Sequence, residues 1–281
     1  MEVVKTKLEA KKIIRHWKAQ GLKVGFVPTM GYLHKGHCSL MELSKNKADK
    51  TVVSIFVNPT QFGPTEDFEK YPRDIQRDLE ISKSVGVDLV FMPSVKEMYP
   101  EPIKTWITVE GLTNNLCGKS RPGHFRGVAT VVAKLFNIIQ PDVAIFGQKD
   151  FQQVQVIKKM VKDLDMPIKI IMAPIVREKD GLAMSSRNTY LSKKERESAR
   201  CLFKALNLAK KLIKYDKVNK VGDLKEALKE FILSFPYTKI DYIFVGDPES
   251  LTETLEIKLP TLVALAVYVG NTRLIDNEII V

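Results

Sequence analysis

"KVGFVPTMGYLHKGHCSLMELSKNKADKTVVSIFVNP", residues 23–59, decides the architecture. Its first eight residues, "KVGFVPTM" (23–30), form a short apolar run that predicts a buried strand. "KGHCSLMELSKNKA" follows with a helical pattern, and "KTVVSIFVNP" (50–59) is β-branched and apolar, predicting a second strand. Two apolar strands joined through a helix make a parallel pair whose faces are both covered. The turn between the first strand and the helix holds two of the chain's four histidines, His34 and His37, with Gly31 before them and Gly36 between them.

The alternation continues outward from this unit. "YPRDIQRDLEISKSVG" has apolar residues at helical spacing and stops at Gly86, "VDLVFMP" (87–93) predicts a strand, and "GVATVVAKLFNIIQP" a helix ended by Pro141. "DVAIFG" (142–147), "QQVQVIKKMVKDLDMP" and "IKIIMAPIV" (168–176) predict strand, helix and strand. The fold class is therefore α/β, with a Rossmann-like parallel sheet domain over residues 1–176. Such a sheet binds ligands beyond the carboxyl ends of its strands, where the strand order reverses. After residue 177 the pattern changes. One long helix, "KKERESARCLFKALNLAKKLIK", and a second, "KVGDLKEALKEFILSF", precede three strand-like runs without intervening helices. Residues 177–281 predict a smaller α+β domain with an antiparallel sheet.

The 281 residues are 44% hydrophobic and 27% charged, as in ordinary globular domains, and carry a net charge of +11. Lys and Arg alternate with Glu and Asp in stretches such as "SKKERESAR", so the excess reads as solvated helix faces suited to an anionic small substrate rather than to nucleic acid. Three dispersed cysteines without a CxxC pair suggest neither a zinc site nor a disulfide framework, and a cytoplasmic setting is expected. The N-terminal 21 residues read as a charged amphipathic helix, and no apolar run is long enough to span a bilayer.

The histidine turn has the form HxGH and resembles the HIGH signature of the nucleotidylyl-transferase superfamily. Its chemistry is legible without that likeness. A helix N-terminus offers free N–H groups and partial positive charge, and two imidazoles can donate to phosphoryl oxygens as charge grows on them. Met184-Ser185-Ser186-Arg187 resembles the second signature of that superfamily, the KMSKS loop, with two hydroxyls and a phosphate-gripping guanidinium. In "FGQKDFQQ" (146–153), Lys149 can neutralise phosphate and Asp150 can hold magnesium. Asn58 and Gln61, in "FVNPTQF", can fix a small polar substrate or simply shape the turn around Pro59. His124 reads as a helix cap; Asp78 is either a second metal carboxylate or, as the better reading, part of a solvated helix face.

Further blocks narrow the likeness. "PTMGYLHKGH", "FVNPTQF", "YPR", "RPGHFRGV", "FGQKDFQQ" and "REKDGLAMSSRN", in this order, resemble the pantothenate synthetase family; another HxGH nucleotidylyl transferase is the alternative. The resemblance implies an ATP-dependent, AMP-forming ligase that joins pantoate to β-alanine through a pantoyl adenylate. It implies that Met30, Gly31, Tyr32, Leu33, His34, Lys35, Gly36 and His37 hold ATP, together with Gly147, Gln148, Lys149, Asp150, Val176, Met184, Ser185, Ser186 and Arg187. By the same likeness His37, His34 and Lys149 act on the phosphates, and Gln61, Gln153 and Asn58 meet pantoate and β-alanine. Magnesium at Asp150 and a homodimer are also implied, with no nucleic-acid or membrane partner.

Overall fold

The computed structural model describes residues 1–64 and 66–281. Its first unit is a six-stranded sheet. In chain order it comprises β1 (Glu2–Val4), α1 (Lys7–Ala19), β2 (Val24–Thr29), α2 (Lys35–Lys45), β3 (Lys50–Ile55), α3 (Ile75–Val85), β4 (Leu89–Phe91), α4 (Val95–Met98), α5 (Leu116–Ser120), α6 (His124–Ile139), β5 (Val143–Gly147), α7 (Phe151–Asp163) and β6 (Lys169–Ala173). The strand order is β1-β4-β3-β2-β5-β6 and every pairing is parallel. The chain winds one way from β2 through β3 and β4 and the other way through β5 and β6, so the order reverses between β2 and β5.

Period-two alternation explains why both faces are apolar. Phe26, Val52 and Ala144 face a core shared with α1, α6 and α7, while their neighbours Val27, Val53 and Ile145 face one shared with α2. The α6 helix is apolar around most of its circumference because it is packed inside; Val128, Val131, Leu135 and Ile139 are all buried. Residue 173 is the last of β6 because Pro174 has no N–H to continue the ladder.

The second unit has α8 (Lys193–Ala199), α9 (Cys201–Lys214), α10 (Val221–Leu233) and an antiparallel sheet of β7 (Thr238–Gly246), β8 (Thr261–Val269) and β9 (Thr272–Ile280) in the order β7-β8-β9. Leu202, Leu206, Leu224 and Leu228 pack against Val245, Val263 and Leu265.

The expected elements need three corrections. The N-terminal stretch is not one helix: Glu2–Val4 pairs with Leu89–Phe91, and helix α1 starts only after Thr6, which forms a capping box with Glu9. The long helix expected over 193–214 is broken at Arg200. The short helices α4 and α5 carried too few residues to show a period.

Candidate active site

The turn after β2 is backbone-strained and held from beneath. Gly31 and Tyr32 both take left-handed conformations, with φ of 82° and 50°. The Asp78 carboxylate on α3 accepts the N–H of Tyr32 at 2.8 Å and of Leu33 at 2.7 Å. A Cβ at position 31 would sit 2.8 Å from the same carboxylate, so glycine is required there for space as well as for φ. Leu33 is fully buried and anchors the turn with roughly 2 kcal/mol of apolar burial. Asp78 is thus neither solvated nor aimed at a metal, as its sequence setting suggested. It is 1% exposed, and burial pushes its carboxyl up in spite of the two N–H donors. Ser82, one turn along α3, is buried beside it.

His34 caps α2. The Gly36 N–H donates to His34 Nδ1 at 3.1 Å, and the His34 N–H donates to His37 Nδ1 at 3.2 Å. Each Nδ1 is therefore an acceptor without a proton, which leaves each neutral ring its N–H at Nε2. A Cβ on Gly36 would lie 2.9 Å from the His34 ring, so the ring can fold back only over glycine. The two rings stand 4.1 Å apart. Burial, then Lys149, lowers the His34 pKa to about 4; burial, then His34, holds His37 well below its ordinary value.

His124, the first residue of α6, is neutral for similar reasons, with a pKa lowered to about 4 by burial and then by Arg121. Arg121 can only donate, so His124 Nε2, 3.1 Å away, accepts; Nδ1–H then donates to the Gln61 carbonyl at 2.7 Å. In the unfolded chain all three rings protonate near pH 6.5, whereas the folded rings stay neutral to well below that. The unfolded state then binds more protons, and stability falls as pH drops from about 6.5. We expect the unfolding free energy to fall between pH 7 and pH 5 by up to about 1.4 kcal/mol per pH unit for each neutral ring, and the thermal midpoint to fall with it. The slope should shrink in His124→Gln. A flat midpoint over this range would mean that the folded rings are charged.

The second wall is the loop after β3. Asn58, 1% exposed, spends its polar atoms on the protein. Its Oδ1 accepts from the Tyr99 hydroxyl at 2.8 Å and from the Thr60 hydroxyl, and its Nδ2 donates to Gln61 Oε1 at 3.2 Å and to the Gly127 carbonyl. It orients Gln61, whose Nε2 lies 3.1 Å from Met30 Sδ. His124 holds the backbone of Gln61 from the other side, a role its sequence position as a cap did not reveal.

The third wall follows β5 and β6. Lys149, Asp150 and Gln153 face the cavity, with Lys149 Nζ 3.7 Å from Asp150. Gln152 turns away, donating to the carbonyls of Leu112 and Asn115. The carbonyl of Val176 accepts the N–H of Met184, folding the Ser-Ser-Arg segment back over the cavity. There Arg187 makes a two-bonded pair with Asp67 at 2.8 and 2.9 Å, and Ser186 meets the Tyr71 hydroxyl at 3.2 Å. Burial raises the Asp67 carboxyl, but the Arg187 bonds outweigh it and hold it below its ordinary range.

These walls enclose about 230 Å³, continuous through Arg121, His124, Lys149 and Arg187 with a larger cleft of about 750 Å³ toward the C-terminal sheet. Met30, His34, Gly36, His37, Asn58, Gln61, Gly147, Lys149, Asp150, Gln153, Val176 and Met184–Arg187 line the smaller space. Gly31, Tyr32, Leu33, Lys35 and Gln148 do not. Leu33 and Gly31 are buried beneath the turn, Tyr32 lies under Arg77, Lys35 is exposed, and Gln148 turns to Asn277. Two of the segments that meet here follow β2 and β5, the strands flanking the reversal of strand order, where an open α/β sheet leaves its crevice.

The family model described as pantoate-beta-alanine ligase matches residues 2–279. A pantothenate synthetase of Caldicellulosiruptor saccharolyticus is 57% identical over 97% of this chain and 96% of its own. The crystal structure of pantothenate synthetase from Thermus thermophilus superposes with a TM-score of 0.94 at 43% identity, covering 99% of both chains. The pantoate-beta-alanine ligase of Francisella tularensis, complexed with beta-gamma ATP and beta-alanine, does so at 0.82 and 37%, covering 99% of this chain and 97% of that one. With its parallel sheet, its HxGH crevice and a family match from end to end, the chain belongs to the pantoate-beta-alanine ligase family.

Proposed function

We propose that the crevice between β2 and β5 carries out both halves of the ligase reaction, activating pantoate with ATP and then passing the pantoyl group to β-alanine. The observation that carries this reading is the convergence of two neutral imidazoles, Lys149 and the Ser-Ser-Arg segment on one crevice that Gln61 and Gln153 also enter.

A pantoate carboxylate oxygen attacks the α-phosphorus of ATP, and pyrophosphate leaves. The neutral β-alanine amine then attacks the acyl carbon, AMP departs with the electrons of the C–O bond, and the nitrogen gives up one proton as the amide forms. Neither step calls for a protein nucleophile. What the protein supplies is position and charge neutralisation for two anions that repel each other. The Nε2–H groups of His34 and His37 donate to phosphoryl oxygens, and Lys149 balances charge at the α-phosphate. Ser185 and Ser186 close on the outer phosphates, joined by Arg187 as it exchanges the Asp67 carboxylate for phosphate, and the backbone at Val176 meets the adenine. Gln61, preset by Asn58 and His124, grips pantoate together with Gln153.

Among the described residues no three His, Cys, Asp or Glu side chains cluster as an all-protein metal cage. Asp150, half-exposed beside Lys149, fits a magnesium ion that arrives on ATP, because this ion favours one or two carboxylates plus substrate phosphates. Bound there it would neutralise phosphate charge. The division at residues 176 and 177, a homodimer and a cytoplasmic setting belong to the same reading; three free cysteines fit a reducing compartment.

The test is pyrophosphate release from ATP, which should need pantoate but not β-alanine, while AMP release should need both. In the same assay Gln61→Ala should raise the KM for pantoate at least tenfold and that for ATP less than twofold. Equal weakening of both would make Gln61 a structural residue.

A further inference from the structure

The loop that carries Lys149 is not held by its own sequence. Its short 3-10 turn, Gln148–Asp150, has no side-chain cap, and neither has the start of α7 that follows it. What holds it comes from the far end of the chain. Asn277 on β9, 2% exposed, donates one amide hydrogen to the Gln148 carbonyl and the other to the Lys149 carbonyl, both at 3.0 Å. Its Oδ1 accepts from Gln148 Nε2 at 3.3 Å. Two donors and one acceptor on so short a side chain are available only from Asn; Asp has no donor and Ser has one.

The neighbouring residue grips the opposite wall. Asp276, 2% exposed, accepts two hydrogen bonds from Arg177 at 2.6 and 3.0 Å, and Arg177 in turn donates to the Gly181 carbonyl at the base of the Ser-Ser-Arg segment. Successive strand side chains leave on opposite faces, so one dipeptide at the sheet edge can reach both walls.

We propose that Asn277 is a positioning residue for adenylate formation: the last strand of the C-terminal sheet fixes the carbonyls of Gln148 and Lys149 and thereby aims the Lys149 ammonium into the crevice. This rests on the reading of Lys149 as the α-phosphate cation. The C-terminal unit then completes the nucleotide site as well as covering it. A chain lacking β9 would keep the Lys149 side chain but lose its orientation.

The experiment measures single-turnover pantoyl-adenylate formation in the full-length protein for Asn277→Ala, Lys149→Ala and the double variant. Asn277→Ala is expected to slow the step about tenfold at saturating substrates while moving the KM for pantoate less than twofold. Asn277→Asp, which sets a carboxylate against two carbonyls, should slow it further, and Asn277→Ser less. In the Lys149→Ala background, Asn277→Ala should add less than a twofold loss, because the group it aims is gone. Additive losses, or an unaffected rate in Asn277→Ala, would overturn the positioning role. Wild-type rate in Lys149→Ala would instead overturn the reading beneath it, so the two failures are told apart. If Asn277→Ala does not accumulate as folded protein, Asn277→Ser is read by the same cycle.

Discussion

Replacing His37 by alanine should lower the rate of adenylate formation by about 10²- to 10³-fold, the loss typical of removing one donor aimed at developing negative charge. The ring does two jobs, and conservative variants separate them. Nδ1 accepts the His34 N–H and helps to start α2; Nε2–H is left for the phosphate. Asparagine sets an acceptor near the place of Nδ1 but has nothing at Nε2. Glutamine reaches Nε2 with an N–H but leaves the cap unmade. His37→Asn should therefore keep the thermal midpoint within about 2 °C of wild type, since a cap contributes about 1 kcal/mol, and still lose the rate. His37→Gln should recover part of the rate at some cost in stability. Unchanged single-turnover kinetics in His37→Ala would remove the imidazole from the mechanism.

The second large effect lies below the crevice. Asp78→Ala should destabilise the protein by about 3 kcal/mol, because two buried N–H groups lose a charged acceptor and two successive left-handed residues lose the contact that holds them. For a chain of this length that is a fall of roughly 5 °C in thermal midpoint. Asp78 touches no part of the cavity, so its effect on catalysis must pass through the turn. The turn carries His34 and His37, so the KM for ATP should rise and the adenylation rate fall together. Asp78→Asn, which keeps one acceptor but turns an NH2 toward the other N–H, should fall between wild type and Asp78→Ala on both measures. A stable Asp78→Ala protein with normal ATP kinetics would mean that the turn keeps its shape unaided.

Much of the parallel sheet was legible in residues 23–59, because apolar runs of strand length separated by amphipathic helices leave few alternatives, and parallel strands buried on both faces carry little polar noise. The crevice-facing residues were legible where function demands unusual types at strand ends: paired histidines around a glycine, a Lys-Asp pair after "FG", and a Ser-Ser-Arg loop. Residues that act on other residues were harder to read. Asn58 was readable as a substrate ligand or as a turn residue, but its bonds to Tyr99, Thr60, Gln61 and Gly127 were not. Arg187 was readable as a phosphate ligand, but its resting partner Asp67, 120 positions away, was not.

Local patterning thus prescribed the strands, the helices and the chemistry offered at each strand end, since propensity, periodicity and side-chain type act over a few neighbouring positions. Which partner steadies each of those groups was settled by chain segments 45 to 129 residues apart: Asp78 under Leu33, His124 behind Gln61, Asn277 across from Gln148. Buried donors and acceptors must be matched wherever the fold brings them together, and a hydrogen bond carries no trace in the sequence of how far apart its two ends began.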